Sequence, residues 1–160
     1  MAKRELYLSL GSNLGDREGS ITKAIVALEE FLKMPAACSR ILEYPSWGFC
    51  SNDFLNCVVR FDVPVCGVDT ELFLTALLRQ IKVVEKAFGR DCKVEFNADG
   101  TRIYHDRPID IDILFYGNER VDTDILKVPH PLAGERNFVL EPLKDVASNI
   151  EMINFADSNI

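Results

Sequence analysis

Hydrophobic and polar positions alternate along this chain in two rhythms, one typical of strands and one of helices. Four runs rich in β-branched, leucine or aromatic residues predict strands at 5–10, 39–44, 54–63 and 109–116. Apolar residues at three- and four-residue spacing predict helices at 17–33 and about 69–88. The predicted order of elements is therefore β-α-β-β-α-β.

This order predicts an α+β fold with the ferredoxin-like βαββαβ plan, an antiparallel sheet with both helices packed on one face. Pro35 should end the first helix, and Asp69 or Thr70 should cap the second, which Gly89 closes. A hairpin is expected around 97–100 and a short helix near 140–147. The second face of the sheet would then be available for a functional site.

The last predicted strand carries two acidic residues within an apolar run. Because side chains alternate between faces along a strand, Ile109, Ile111 and Ile113 should face the helices, together with Phe115. Asp110 and Asp112 would lie on the opposite face, roughly 7 Å apart, beside Leu114 and Tyr116. The pair is either part of a solvated outer face or a site for a divalent cation such as Mg²⁺, which prefers carboxylate oxygen together with phosphate and water.

Arginines precede this strand. Arg107 lies just before it, and Arg90, Lys93 and Arg102 belong to the polar segment that follows the second helix. A guanidinium donates two parallel hydrogen bonds to phosphate, although any single arginine here is better explained by a solvated loop. Together with the two aspartates, these cations indicate a site for a magnesium-bound polyphosphate.

Two further groups have both a structural and a functional interpretation. His130, within Pro129-His130-Pro131, can hydrogen-bond a phosphate or simply belong to a proline turn. Phe54 and Phe138 can stack on a flat heterocycle, and the Asn56 amide can bind its edge, but ordinary strand packing also explains these residues.

Length and charge narrow the function. The 160 residues fit a single domain, with a core expected at about 5–147 and a tail of unclear role at 148–160. The net charge of −7 argues against nucleic acid or membrane surfaces as partners. No apolar run approaches the length of a membrane helix, and the start of the chain has no signal-peptide pattern, so a cytoplasmic location is expected.

Several motifs taken together resemble the 6-hydroxymethyl-7,8-dihydropterin pyrophosphokinases of folate biosynthesis. The Leu-Gly-Ser-Asn-Leu-Gly-Asp loop and the Arg-x-x-Asp-Ile-Asp strand are specific in combination. The matching segments lie at 10–16, 53–56, 85, 89–90, 107–114, 128–131 and 136–143.

The resemblance implies that the chain transfers the pyrophosphoryl group of ATP to the hydroxymethyl oxygen of the pterin and releases AMP, without a covalent intermediate. Asp110 and Asp112 would hold two Mg²⁺ ions that arrive with ATP, and Arg90 and Arg107 would complete the catalytic set. The residues implied in ATP binding are Glu85, Arg90, Arg102, Arg107, His130 and Arg136. The residues implied in pterin binding are Tyr44, Trp47, Phe54, Asn56 and Phe138. A monomer is expected.

Two other function classes compete with this interpretation. A ligand-sensing domain is compatible with the fold, but gives no role to two aspartates beside an arginine cluster. A two-metal phosphohydrolase would need more carboxylate ligands than the pair at 110 and 112. AMP formation that requires pterin separates the first from a pyrophosphokinase, and phosphate release without pterin identifies the second.

Overall fold

The structure, a computed structural model, describes residues 2–45, 52–89, 95–103 and 108–148. The strands are β1 (Lys3–Ser12), β2 (Ala37–Cys38), β3 (Leu42–Tyr44), β4 (Phe54–Pro64), β5 (Glu95–Phe96), β6 (Arg102–Ile103), β7 (Asp110–Tyr116), β8 (Val121–Asp122) and β9 (Lys127–Val128). The α-helices are α1 (Arg17–Leu32), α2 (Thr70–Ala87) and α3 (Asn137–Val146).

The main sheet is antiparallel and has the strand order β2-β4-β1-β7, with β3 also paired to β4. This arrangement confirms the predicted ferredoxin-like plan. Of the strand expected at 39–44, only β3 (Leu42–Tyr44) is formed, and β2 (Ala37–Cys38) lies before it, because the ladder is interrupted at Ser39. The Ser39 N–H donates to the Val58 carbonyl at 2.9 Å, while the Ser39 hydroxyl accepts from the Val58 N–H at 2.8 Å and so takes the place of a backbone carbonyl.

The two long helices pack on one face of the sheet, as predicted. The side chain of Asp16 caps α1 by accepting from the Gly19 N–H, and the side chain of Asp69 caps α2 by accepting from the Leu72 N–H. The principal core lies between these helices and the sheet, and its largest fully buried members include Leu6, Leu8, Leu10, Ile21, Leu28, Phe61, Leu74, Leu77, Ile81 and Ile109.

The last residues of β7 depart from the predicted alternation. β1 pairs Leu8 with Ile113 and Tyr7 with Phe115, so Leu114 is an extra residue in a β-bulge. The expectation that Phe115 faces the helices and that Tyr116 shares the side of the aspartates is therefore wrong. Phe115 packs against Tyr7 on the opposite face from α1 and α2, and Tyr116 joins the principal core.

The third helix covers part of the second face. Its residues Val139, Leu143 and Val146 form a smaller core with Tyr7 and Phe115. The Asp110 end of this face is not part of that core. None of the helices in the described ranges has the length and apolar character needed to cross a membrane.

Candidate functional site

The strand register places polar positions in rows across the sheet, on the face opposite α1 and α2. Asn56, Gly11 and Asp110 are paired in one row across β4, β1 and β7. In the next row, Ser9 is paired with Asp112. Paired residues of antiparallel strands share a face, so the predicted pterin-reading amide and the predicted metal-binding carboxylates lie on one surface.

Gly11 has no side chain, and the side chains of Asn56 and Phe54 occupy the gap that this leaves at the centre of the surface. A Cβ at this position would lie 2.5 Å from Oδ1 of Asn56 and 3.4 Å from Cδ1 of Phe54. The backbone of β1 is therefore approached closely by the two residues that are expected to bind the pterin. Asn56 itself is buried, so its amide has little room to move.

Replacing Gly11 with alanine should weaken pterin binding more than nucleotide binding, because the new methyl group must displace the Asn56 amide. Overpacking of this kind also lowers the free energy of unfolding by about 1–3 kcal/mol. Calorimetric titration with the pterin and with a non-hydrolysable ATP analogue separates the two affinities.

Ser12→Ala is the control, since Ser12 is buried at the next position of β1 and its hydroxyl has no hydrogen-bond partner within the described part of the chain. The control should bind pterin as the wild type does. Unchanged pterin affinity in Gly11→Ala would show that pterin binding does not depend on the close approach of Asn56 to Gly11.

The two aspartates supply a small set of carboxylate oxygen ligands. Asp110 and Asp112 are both half-buried on β7. Within the described residues they belong to no group of three or more histidine, cysteine or acidic side chains that could hold a metal ion. This donor set fits Mg²⁺, which commonly takes one or two carboxylates and fills its remaining positions with substrate phosphate and water.

His130 is held in its neutral form. The backbone N–H of His130 donates to the Leu114 carbonyl at 2.9 Å. In the side chain, Nδ1 accepts from the Leu132 N–H at 3.2 Å, which leaves the imidazole proton on Nε2. Burial, helped by the Arg136 guanidinium, lowers the pKa of His130 to about 4, against the opposing effect of the Asp110 carboxylate. His130 can therefore donate one N–H to a phosphate at neutral pH, but it contributes no positive charge.

The depressed pKa of His130 predicts a stability cost at acidic pH in the metal-free protein. Between the ordinary value of 6.5 and the folded value of about 4, the unfolded chain binds a proton that the folded chain does not. The contribution of His130 to stability is therefore present above pH 6.5 and is lost by about 1.4 kcal/mol per pH unit as the pH falls through this window. Urea unfolding gives the free energy of unfolding of the wild type and of His130→Gln. The value for the wild type minus that for the variant should decrease as the pH falls through this range, and a constant difference would contradict the assignment.

Aromatic and cationic side chains meet at the start of α3. The rings of Tyr44 and Phe138 contact edge to face with centroids 6.4 Å apart, and the Arg136 guanidinium lies 5.3 Å from the Phe138 centroid. Phe138 is half-buried and packs against the smaller core. The Arg136 guanidinium also lies close enough to His130 to lower its pKa. The predicted nucleotide-side and pterin-side residues therefore adjoin one another here.

Glu85 lies on the other side of the sheet. It is a fully buried residue of α2, and its Oε2 accepts from the Ile111 N–H at 3.1 Å. Ile111 separates the two aspartates along β7, so this contact connects the second helix to the predicted metal site.

Sequence reasoning missed the contacts that join the β1–α1 loop to the segment before β4. Asn13 donates from Nδ2 to the Asn52 carbonyl at 3.2 Å. Arg17 donates from Nη1 to the Asp53 carbonyl at 2.9 Å and forms an ion pair with Glu43 at 2.8 Å. The turn-rich sequence directly after β1 was the available signal, but its partner segment could not be predicted from it.

Four predicted site residues cannot be placed beside these. Trp47, Arg90 and Arg107 lie outside the described residues. Arg102 belongs to β6, which pairs with β5, but its side chain lies outside the described part.

Comparison with known proteins shows the family of this chain. The family model described as 7,8-dihydro-6-hydroxymethylpterin-pyrophosphokinase matches residues 7–148. The chain belongs to this family. It is accordingly an enzyme of pyrophosphoryl transfer in folate biosynthesis, acting on small-molecule substrates.

Individual relatives extend this finding to most of the chain. A 2-amino-4-hydroxy-6-hydroxymethyldihydropteridine pyrophosphokinase from Aquifex aeolicus is 40% identical over 146 residues, covering 91% of this chain and 81% of its own length. A protein of the same name from Porphyromonas gingivalis is 39% identical over 144 residues, covering 89% and 90%. The mitochondrial folate synthesis bifunctional protein of Pisum sativum is 38% identical over 143 residues, which cover 89% of this chain and 25% of the pea protein.

Proposed function

We propose that this pyrophosphokinase uses ATP as its donor, releases AMP, and works with two Mg²⁺ ions held by Asp110 and Asp112. The observation that carries the proposal is the shared surface of β4, β1 and β7, where Asn56 and both aspartates are brought together by the register. A pterin at Asn56 would place its hydroxymethyl group toward the carboxylates that hold the triphosphate.

The chemistry requires little covalent help from the protein. The hydroxymethyl oxygen attacks the β-phosphorus and loses its proton to solvent, the bond from that phosphorus to the oxygen shared with the α-phosphate breaks, and AMP leaves with that oxygen. Bound Mg²⁺ would neutralise the developing phosphate charge. The contribution of the chain is to orient the two substrates and hold fixed dipoles around them.

The other implied site residues, apart from Glu85, have these roles in the proposal. His130 donates its Nε2–H on the nucleotide side, where Arg136 supplies positive charge; Arg90 and Arg107, with Arg102, would contact the phosphates. Phe54 and Phe138 would enclose the pterin, and main-chain groups near Tyr44 and Trp47 would complete its pocket. The enzyme would act as a cytoplasmic monomer.

Product analysis tests the proposal. The protein should form AMP and pterin diphosphate in equal amounts, and only when ATP, pterin and Mg²⁺ are all present. A ligand-sensing domain would bind without turnover, and a phosphohydrolase would release phosphate from ATP without pterin. Either of these results would overturn the proposed reaction.

A further inference from the structure

A buried carboxylate supports the predicted metal-binding strand from behind. Glu85 is fully enclosed, although glutamate is rarely buried unless its charge is paired and hydrogen-bonded. One oxygen, Oε2, accepts from the Ile111 N–H at 3.1 Å, and the other lies 3.4 Å from the ammonium of Lys82. The carboxylate thus joins a half-exposed cation to a backbone amide in the sheet.

The position of that amide gives the contact its significance. In the described part of the chain, β7 is at the edge of the main sheet and has β1 as its only neighbour. Alternate N–H groups of an edge strand turn outward, where no strand can accept from them. Ile111 turns outward to Glu85, so the N–H groups of Asp110 and Asp112 turn inward to β1. The backbone is therefore held from both sides at the residues predicted to bind metal.

We propose that Glu85 is a positioning residue for the metal site. It fixes the edge backbone at Ile111, and through that backbone it sets the separation and direction of the Asp110 and Asp112 carboxylates on the opposite face. This inference rests on the proposed function. It differs from the nucleotide contact that the resemblance implies for Glu85, because Glu85 acts here through the strand.

A carboxylate acceptor suits this role, and the Lys82 ammonium lies 3.4 Å from its second oxygen. Hydrogen bonds to an ionised carboxylate are shorter and stronger than bonds between neutral groups. Glutamine at position 85 could still accept from the Ile111 N–H, but as a weaker neutral acceptor. Leucine would leave that outward N–H without an acceptor in an apolar environment, so the strand could shift.

The test compares Glu85→Gln and Glu85→Leu by two measurements. The first is amide hydrogen exchange at Ile111 in the free protein, followed by NMR. The second is Mn²⁺ affinity in the presence of a non-hydrolysable ATP analogue, followed by electron paramagnetic resonance. Glu85→Leu should lose protection at Ile111 and bind Mn²⁺ about 10–100-fold more weakly, as expected when the residues that orient metal ligands are removed. Glu85→Gln should show a smaller loss of both.

Two controls separate positioning from general stability. Lys82→Met removes the charge partner of Glu85 and should lower the free energy of unfolding, but it keeps the acceptor, so the Ile111 amide should stay as protected as the surrounding core and Mn²⁺ affinity should stay near wild type. Leu77→Ala opens a cavity in the same helix–sheet interface; it should lower protection throughout the core without a selective loss at Ile111 or a change in Mn²⁺ affinity. In Glu85→Leu, kcat should fall while the KM for pterin is unchanged.

The outcomes decide between positioning and the alternatives. Unchanged Ile111 exchange in Glu85→Leu, or lost protection with wild-type Mn²⁺ affinity, would overturn the inference. If Glu85→Leu does not fold, Glu85→Gln decides between the alternatives. A change in Ile111 exchange without a change in Mn²⁺ affinity, or the reverse, would then overturn the inference. Failure of the proposed function is distinct: the wild type itself would then form no AMP and bind no Mn²⁺ with the analogue.

Discussion

Replacing Asp112 with asparagine should reduce turnover about 1,000-fold, while the protein folds as the wild type does. Metal assistance of phosphoryl-type transfer supplies several kcal/mol of charge stabilisation, and each 1.4 kcal/mol corresponds to a factor of ten in rate. The substitution is nearly isosteric and falls on the half-buried face of β7, so neither the principal core nor the pairing with Ser9 is disturbed. Initial rates of AMP formation at saturating Mg²⁺, with circular dichroism of the purified variant, provide the measurement.

Asp122→Asn is the matched control. Asp122 is an exposed aspartate of β8 that pairs with Lys127 on the surface, and such pairs contribute at most about 1 kcal/mol. The control should retain full activity. Near-wild-type turnover in Asp112→Asn would mean that the metal assignment is wrong.

Replacing Phe54 with alanine should weaken pterin binding about 10–100-fold and leave the affinity for the ATP analogue nearly unchanged. Stacking of a flat base on an aromatic ring contributes about 1–3 kcal/mol by alanine substitution. Phe54 is half-buried at the start of β4, beside the gap at Gly11, so its ring is placed to cover a ligand bound at Asn56. Calorimetric titration of each ligand gives both affinities directly.

Phe31→Ala removes the same ring from the outer surface of α1, where Phe31 is 39% exposed. Its pterin and nucleotide affinities should equal those of the wild type. If Phe54→Ala lost equal affinity for the pterin and for the ATP analogue, the stacking assignment would be wrong.

Periodicity was sufficient for the principal elements. The alternation in 109–116 correctly placed Ile111 and Ile113 toward the helices, and the capping residue Asp69 marked the start of α2. Strand order then followed, because a βαββαβ sequence leaves few ways to bury two amphipathic helices on one antiparallel sheet. Asp110 could be predicted on the second face for the same reason.

What could not be predicted depends on partners distant in the sequence. The bulge at Leu114 becomes visible only in the pairing of β7 with β1, because alternation assumes an uninterrupted pleat. The Gly11 gap requires the register of β4, and the contact from Glu85 to Ile111 requires the exact position of α2 along the sheet edge. Local patterns contain none of these distances.

A crystal structure of the protein with Mg²⁺, a non-hydrolysable ATP analogue and the pterin is the most direct test of the proposed site. We expect both Asp110 and Asp112 to bind Mg²⁺ that also contacts the phosphates, with the pterin edge at Asn56 and its ring against Phe54. Well-ordered substrates whose phosphates and metal ions are bound elsewhere, with neither aspartate as a ligand, would contradict the account.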